Sequence, residues 1–271
     1  MRHSLIIDGP AFRLRPVRTE DAAFIAELRA DPERCRYLHR GPAGAVWQRR
    51  WLEAYFERQD DYYFLIENRA TGLPEGTVGI YNAGWSIDGR TDRLQRDAEW
   101  GRWVLRRGSL AALESACLLY RVGFETLDLD SIYCRTILEN ASALAFHDSF
   151  GMERGRVLPG YLEREARTSD AERNTRGLDA ERNTRGLDAE RGTRDLDAER
   201  GTRDLDAERG TRDLDAMECR LTRAGWMALR EGVEAKALRA AAWSRRPQHA
   251  PQPASQRASV HFGSRRLGIK A

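Results

Sequence analysis

The segment WVLRRGSLAALESA combines residue types that could bind a phosphate. An apolar, strand-like run ends at Leu105, and a helical pattern begins within a few residues. The start of a helix presents unpaired N–H groups and a partial positive charge, which together favour an anionic ligand. Arg106 and Arg107 add charge, Gly108 permits close backbone approach, and Ser109 can cap the helix. The junction predicts a phosphate-binding turn, and an ordinary arginine-rich turn before a well-capped helix is the alternative.

A second segment, LENASALAFHDSFGM, carries a polar helix that follows a strand. Asn140 precedes the helix, His147 lies within it, and Gly151 ends it before a further strand. His147 is one of only five histidines. By itself, a histidine on a helix beside Phe146 is more often a surface residue or a hydrogen-bonded core residue than a catalytic one.

Together, the two segments resemble the GNAT acyltransferases. The pyrophosphate loop of that family reads (Gln/Arg)-x-x-Gly-x-(Gly/Ala). Arg106 and Ala111 agree with its ends, whereas Ser109 replaces its glycine and Gly108 lies one position earlier. The second family motif is Asn-x-x-Ala-x-x-x-(Tyr/His)-x-x-x-Gly, and it is matched by Asn140, Ala143, His147 and Gly151. The N-terminal LRPVRTEDAAFIAELRADPE is similar to the branch that contains ribosomal-protein and amino-sugar N-acetyltransferases.

The resemblance implies where acetyl-CoA binds. In the family, the pantetheine arm pairs with exposed backbone of the fourth strand, in a wedge beside the fifth strand, and backbone N–H groups there polarise the thioester carbonyl. The residues implied for cofactor binding are Trp103, Val104, Leu105, Arg106, Arg107, Gly108, Ser109, Leu110, Ala111 and Asn140.

The resemblance also implies two catalytic residues. An amine attacks only when it is neutral, so a carboxylate must remove a proton, and the departing thiolate needs a proton donor. Glu99 in AEWGRW is the predicted base, with Asp97 on the same strand face as the alternative. His147 is the predicted acid, because it occupies the position where many relatives have tyrosine. A structural ion pair between Glu99 and Arg102 is the competing interpretation.

The elements that must position these residues alternate between strand and helix signals. The pattern predicts a single α/β (α+β) domain with a mixed, mostly antiparallel sheet flanked by helices. The predicted strands are 11–16, 62–67, 76–81, 97–105, 132–136 and 217–221. The predicted helices are 20–28 with Thr19 as N-cap, 47–56, 109–127, 141–150, and one that Thr222 caps and that ends near Trp243.

A nonapeptide repeat interrupts this pattern. DAERNTRGL occurs twice from Asp170, and DAERGTRDL then occurs three times up to Leu214. Nine residues advance a helix by about 900°, so successive leucines would point to opposite sides and form no apolar stripe. The sequence predicts an acyltransferase domain over 1–169 that is completed by a strand and helix over 215–242. A flexible or partly helical insertion (170–214) and a disordered basic tail (243–271) make up the rest.

Composition excludes several functional classes. The net charge is only +3, and six Arg or Lys without any acid lie in the tail, so the folded part is not predicted to bind nucleic acid. Four scattered cysteines favour neither disulfides nor a metal site. No apolar run is long enough to span a membrane. We therefore expect a soluble, cytoplasmic protein without a metal.

The predicted function is acetyl-CoA-dependent N-acetylation of a primary amine. The favoured acceptor is an amino sugar or sugar nucleotide of surface-polysaccharide synthesis, because His147 and the WGRWV…GSLAALESA pattern resemble that branch. Two alternatives are a protein N-terminal acetyltransferase and a degenerate domain that binds acyl-CoA or a partner without turnover. The predicted partner is a small-molecule amine, and a homodimer is left open.

Overall fold

The computed structural model describes residues 2–38, 44–88, 91, 93–162 and 214–244. Its strands form one sheet in the order β1-β2-β3-β4-β5-β6-β8-β7. The strands are β1 (Ile7–Asp8), β2 (Phe12–Pro16), β3 (Tyr62–Asn68), β4 (Pro74–Ile87), β5 (Leu94–Leu105), β6 (Ser131–Ile137), β7 (Glu153–Leu158) and β8 (Ala216–Thr222). Neighbouring strands are antiparallel except β5 and β6, which are parallel. The predicted mixed sheet is confirmed.

Helices cover both faces of this sheet. They are α1 (Ala22–Ala30), α2 (Ala45–Phe56), α3 (Ala112–Arg121), α4 (Ala141–Ser149) and α5 (Arg223–Ser244), with a π-helical turn (Val122–Thr126) after α3. Consecutive β3 side chains alternate between two cores: Phe64 and Ile66 belong to the larger one, Tyr63 and Leu65 to the smaller one. A strand is expected to have apolar side chains on both of its faces when helices cover both faces of the sheet. Among the helices described, none has the length and apolarity needed to cross a membrane.

Side-chain caps decide where two of the helices begin. The Asn140 side chain accepts a hydrogen bond from the Ala143 N–H at 3.3 Å, and the Thr222 hydroxyl accepts one from the Gly225 N–H at 3.1 Å. The prediction that Thr19 caps α1 was wrong, since residues Thr19–Asp21 form a 3-10 turn instead. Asp21 stabilises that turn by accepting the Arg18 N–H at 2.8 Å.

The connection from β7 to β8 contains the repeats. β8 lies between β6 and β7, so β7 and β8 form an antiparallel pair at the edge of the sheet. The Leu162 N–H donates to the Leu214 carbonyl at 3.3 Å, and the Gly160 N–H donates to the Asp215 carboxylate at 2.9 Å. The chain therefore leaves the fold after Leu162 and re-enters it at Leu214, and these two residues are neighbours in space. The predicted insertion and basic tail lie outside the described residues.

Candidate active site

The parallel strands β5 and β6 separate after a short paired stretch. They pair only from Asp97 with Ser131 to Glu99 with Tyr133, although β5 continues to Leu105. Beyond Glu99, the edge of β5 that faces β6 has no strand partner among the described residues. The separation opens a wedge between the two strands at the place that the sequence predicts for the cofactor.

A bulge in β5 accompanies the separation. Gly79 pairs with Gly101 and Thr77 pairs with Val104, so β5 has one residue more than β4 in this interval. Arg102 lies in the bulge with a left-handed φ of 52°. Because a bulge bends its strand, it changes the direction of β5 towards Leu105, whose carbonyl accepts a hydrogen bond from Arg34.

A cavity of about 490 Å³, called the wedge cavity below, lies beside the end of β5, beyond the point where β5 separates from β6. Trp103, Val104 and Leu105 line it from β5, Asn140 and Ser142 line it from the start of α4, and further lining comes from the turn after α1. This volume lies within the usual range for small-molecule sites, and an open strand edge pairs readily with an extended amide chain. The lining therefore fits the pantetheine arm of a coenzyme A thioester.

The turn between β5 and α3 is open to solvent. Gly108 has a left-handed φ of 74°, and a Cβ added there would meet no heavy atom within 4 Å. The Ser109 hydroxyl accepts the Ala111 N–H at 3.2 Å, but α3 begins only at Ala112 and its N-cap residue is Ala111, so the predicted Ser109 cap is wrong. Leu110 is exposed beside it. An open turn before a helix N-terminus is suitable for a phosphate group.

The two arginines of this turn have different surroundings. Arg106 makes two contacts of 2.9 Å with Glu75, whose side chain is only 5% exposed. Arg107 is 67% exposed and contacts Asp31 at 3.0 and 3.3 Å. Its hydrogen bond lowers the pKa of Asp31 to about 2. Arg106 is held by the fold, whereas Arg107 can turn towards a ligand.

Glu99 lies buried on β5, next to the opening of the wedge. Its carboxylate contacts Arg135 of β6 at 3.0 Å and accepts longer hydrogen bonds of 3.4 Å from the Tyr81 hydroxyl and the Asn82 amide. Burial lowers the pKa of Arg135, but the Glu99 charge and a hydrogen bond with Tyr161 outweigh burial and raise it. The competing interpretation named the wrong partner, since Glu99 pairs with Arg135 and Arg102 pairs with Asp61.

Asp97 lies two residues before Glu99 on the same face of β5. Its carboxylate contacts Arg220 of β8 at 3.0 Å, and Arg220 also donates to the Ser131 hydroxyl at 2.6 Å. Glu218 lies between Arg135 and Arg220, at 3.7 and 3.6 Å from them. Both predicted carboxylates thus belong to a charged surface built on β5, β6 and β8.

His147 lies on the other side of β5. Its ring is 5% exposed and meets Trp100 edge-on, with 4.9 Å between the ring centroids. Burial lowers the pKa of His147 to about 4. Because adjacent strand residues point to opposite faces, Trp100 separates this ring from Glu99. Of the predicted site residues, Trp103, Val104, Leu105 and Asn140 line the cavity, whereas Glu99, the turn residues 106–111 and His147 lie outside its lining.

Sequence reasoning missed the partners of the two carboxylates. Arg135 and Arg220 come from strands that are distant in sequence, and only the sheet register brings them to Glu99 and Asp97. A signal was available, since Tyr133 with Arg135 and Glu218 with Arg220 have the spacing of one strand face. The spacing could not show on which face of the sheet these side chains lie, or which strand would be their neighbour.

Comparisons with known proteins agree with this geometry. A family model described as an acetyltransferase (GNAT) domain matches residues 12–153. The chain is similar in structure to FdhC, a nucleotide-linked sugar GNAT, with 18% identity and a TM-score of 0.56 over 87% of this chain and 99% of that one. A GCN5-related N-acetyltransferase from Brucella melitensis has 15% identity and a TM-score of 0.59, with 87% of this chain and 86% of that one covered.

A third similar structure is the spermidine N-acetyltransferase of Vibrio cholerae in complex with CoA and spermine. It has 13% identity and a TM-score of 0.53, and the match covers 81% of this chain and 99% of that one. At these identities, the likeness concerns the fold. Among curated protein sequences, none matches this chain.

Proposed function

Because the chain belongs to the GNAT acetyltransferase family, we propose that it transfers the acetyl group of acetyl-CoA to the primary amine of an amino sugar or a nucleotide-linked amino sugar. The observation that carries the proposal is the separation of β5 from β6 immediately after Glu99. Directly after a buried carboxylate, β5 thereby has an open strand edge, and the end of that edge lines a cavity.

The donor would be held mainly by backbone. The open edge of Trp103–Leu105 can pair with the amides of the pantetheine arm, and Asn140 lies across the cavity. The turn at Gly108 and the N-terminus of α3 would bind the pyrophosphate, with Arg107 adding charge. Backbone N–H groups near the bulge would polarise the thioester carbonyl and stabilise the oxyanion.

Glu99 is the proposed base. The acceptor amine must lose a proton before or during attack, and a carboxylate at the wedge opening can receive it directly or through one water molecule. Arg135 stabilises the charged carboxylate, which is the form that accepts a proton. Asp97 is the alternative, at one further strand position of the same face.

The acid role of His147 stays a prediction, and its surroundings favour packing. With a pKa of about 4, the ring is neutral at pH 7 and has no imidazolium proton to give to a thiolate. Release of the thiolate to solvent, where it takes a proton from water, does not require this residue.

The charges near Glu99 support an acceptor with an anionic group. Asp97, Glu99 and Glu218 each contact an arginine, so a polyamine would find these carboxylates already neutralised. Arg156 is 69% exposed and approaches only Glu218, at 3.6 Å, among the described residues. Glu153, which lies opposite Arg220 in the strand register, adds another acidic residue to this surface. An exposed guanidinium over neutralised acids suits the phosphates of a sugar nucleotide.

The test is release of free CoA from acetyl-CoA with a panel of amines. The panel contains nucleotide-linked amino sugars, the corresponding free amino sugars, spermidine and peptides with free N-termini. We expect the highest kcat/KM for a nucleotide-linked amino sugar. Highest turnover with peptides would favour N-terminal acetylation. A thermal shift with acetyl-CoA but no turnover of any amine would favour the binding-only alternative, because a ligand that binds only the native state raises its stability.

A further inference from the structure

The residue in the β5 bulge is an arginine, which is an unusual choice for a left-handed position. Arg102 has a φ of 52°, a region in which a side chain is strained and which glycine adopts freely. The conformation must therefore be stabilised by contacts that the side chain makes.

Those contacts form a closed environment on the α1/α2 face of the sheet. The Arg102 guanidinium donates to both carboxylate oxygens of Asp61, at 2.5 and 2.8 Å, and the two side chains are 17% and 6% exposed. Arg58 also approaches Asp61, at 3.7 Å. A two-pronged arginine–carboxylate pair fixes the direction of the guanidinium as well as its position.

Three aromatic rings surround the same guanidinium. The ring of Tyr81 lies 4.4 Å from it, that of Tyr63 lies 5.3 Å away, and that of Trp51 lies 5.4 Å away. On the backbone side, the Thr77 hydroxyl donates to the Arg102 carbonyl at 2.9 Å. Both the side chain and the carbonyl of the strained residue are thereby held.

One of these rings connects the bulge to the proposed base. A Cβ added at Gly101 would lie 2.2 Å from the Tyr81 hydroxyl, so the tyrosine lies directly over the backbone of β5. The same hydroxyl donates to Glu99 at 3.4 Å. Arg102 thus contacts the ring whose hydroxyl reaches the carboxylate.

We propose that the Arg102–Asp61 pair is a positioning device which holds the β5 bulge in its left-handed conformation and orients Glu99 through Tyr81. The pair would act on both substrates at once, because the bulge presents backbone to the thioester while Tyr81 aligns the carboxylate that faces the amine. The part concerning Glu99 rests on the proposed function, whereas the part concerning the bulge depends only on CoA binding.

Two double variants separate these parts. Asp61→Asn with Arg102→Gly and Asp61→Asn with Arg102→Ala both remove the charges of the pair, so neither leaves an unpaired buried charge. They differ by one methyl group at position 102. Glycine adopts the left-handed conformation without support, whereas alanine does not.

The measurements are CoA Kd by calorimetry, hydrogen exchange of the amides at 103–105, and kcat. We expect the alanine variant to bind CoA about fivefold or more weakly than the glycine variant and to exchange these amides faster, because it loses the left-handed conformation. Both variants should lose about tenfold or more in kcat, since Tyr81 loses its guanidinium in both. Tyr81→Phe should lower kcat without changing CoA Kd.

An exposed ion pair between α4 and β7 provides the control. Asp148 and Arg154 contact each other at 2.6 Å, and their neutral double variant should leave CoA Kd, hydrogen exchange and kcat unchanged.

Equal, wild-type CoA affinity in the alanine and glycine variants would overturn the role in the bulge. Wild-type kcat in both, or in Tyr81→Phe, would overturn the orientation of Glu99. If the alanine variant does not fold, the kcat values of the glycine variant and of Tyr81→Phe decide whether the pair orients Glu99. If the wild-type protein acetylates no amine, the proposed function fails, while the CoA comparison still tests the bulge.

Discussion

The proposed donor side and the proposed acceptor side of the site are built from different kinds of groups. On the donor side, the edge of Trp103–Leu105 and the turn at Gly108 offer backbone groups, and their geometry depends on strand separation and a helix start. On the acceptor side, Glu99 and Asp97 depend on arginines from other strands. A site made of backbone tolerates changes of side chain such as Ser109 for glycine. A site made of paired charges changes its chemistry with each substitution.

The largest expected difference between the two sides follows from removing the proposed base. Glu99→Gln should lower kcat by about 10²–10⁴, the usual range for one acid–base group, while CoA Kd stays near the wild-type value. The loss should be smallest at high pH, where the amine deprotonates unaided. Measuring kcat and Kd from pH 6 to 9 checks this, with Glu218→Gln as the control next to the same arginine. An unchanged kcat would move the base to Asp97 or to bulk water.

His147 belongs to neither the donor side nor the acceptor side if its role is packing, so its titration should affect stability instead of activity. Its pKa is about 4 in the folded protein and ordinarily 6.5, so between these values the unfolded chain binds a proton that the folded chain does not. The free energy of unfolding should therefore fall as pH falls from about 6.5 to about 4, by about 3 kcal/mol in total. Urea unfolding of the wild type and of His147→Phe at pH 7 and pH 4.5 checks this. The variant should lack that part of the decrease.

The same position tests the predicted acid role. If His147 donates the proton, His147→Ala should lose about tenfold or more in kcat, and His147→Tyr should recover part of it. If the ring only packs against Trp100, His147→Phe should keep most of the activity. A fall in kcat in His147→Phe, with unchanged stability at pH 7, would count against the packing role.

The two arginines of the donor turn should give smaller and distinct effects. Arg107→Ala should weaken CoA binding by about three- to tenfold and leave pantetheine without phosphates unaffected, because a charge-assisted contact is lost. Arg106→Ala should instead lower the free energy of unfolding by about 1–3 kcal/mol, since it leaves buried Glu75 unpaired. Calorimetry with both ligands and thermal unfolding separate the two. Equal losses for both ligands in Arg107→Ala would show a structural role there.

The smallest effect is expected from the repeats. Removing 170–213 leaves residues 163–169 to join Leu162 to Leu214, which are hydrogen-bonded to each other. The closure cost of a loop falls by about 0.6 kcal/mol for each halving of its length, so stability should stay equal or rise slightly. CoA affinity should not change. Failure to fold, or a loss in CoA affinity of about tenfold, would show that the repeats support the domain.

The predictable part of the site is its donor side. The strand that ends at Leu105, the turn at Gly108, and the Asn140 cap are each local, and the predicted fold class and most element positions are confirmed. The caps show the limit of such reasoning: Thr222 caps α5 as predicted, whereas Ser109 lies before the N-cap residue of α3 and Thr19 does not cap α1. There, Asp21 competes for the same turn by accepting the Arg18 N–H, and a side chain with a charge forms the stronger hydrogen bond.

The sequence by itself determined where strands and helices alternate and which turn resembles a phosphate site, because these depend on periodicity and on neighbours along the chain. Only the tertiary structure decided that Glu99 meets Arg135, that Arg102 meets Asp61, and that His147 lies behind Trp100. These contacts depend on sheet register, on one extra residue in β5, and on the packing of α4. A shift of one residue in the pairing register moves every side chain of a strand to the opposite face of the sheet. The local sequence does not determine that register.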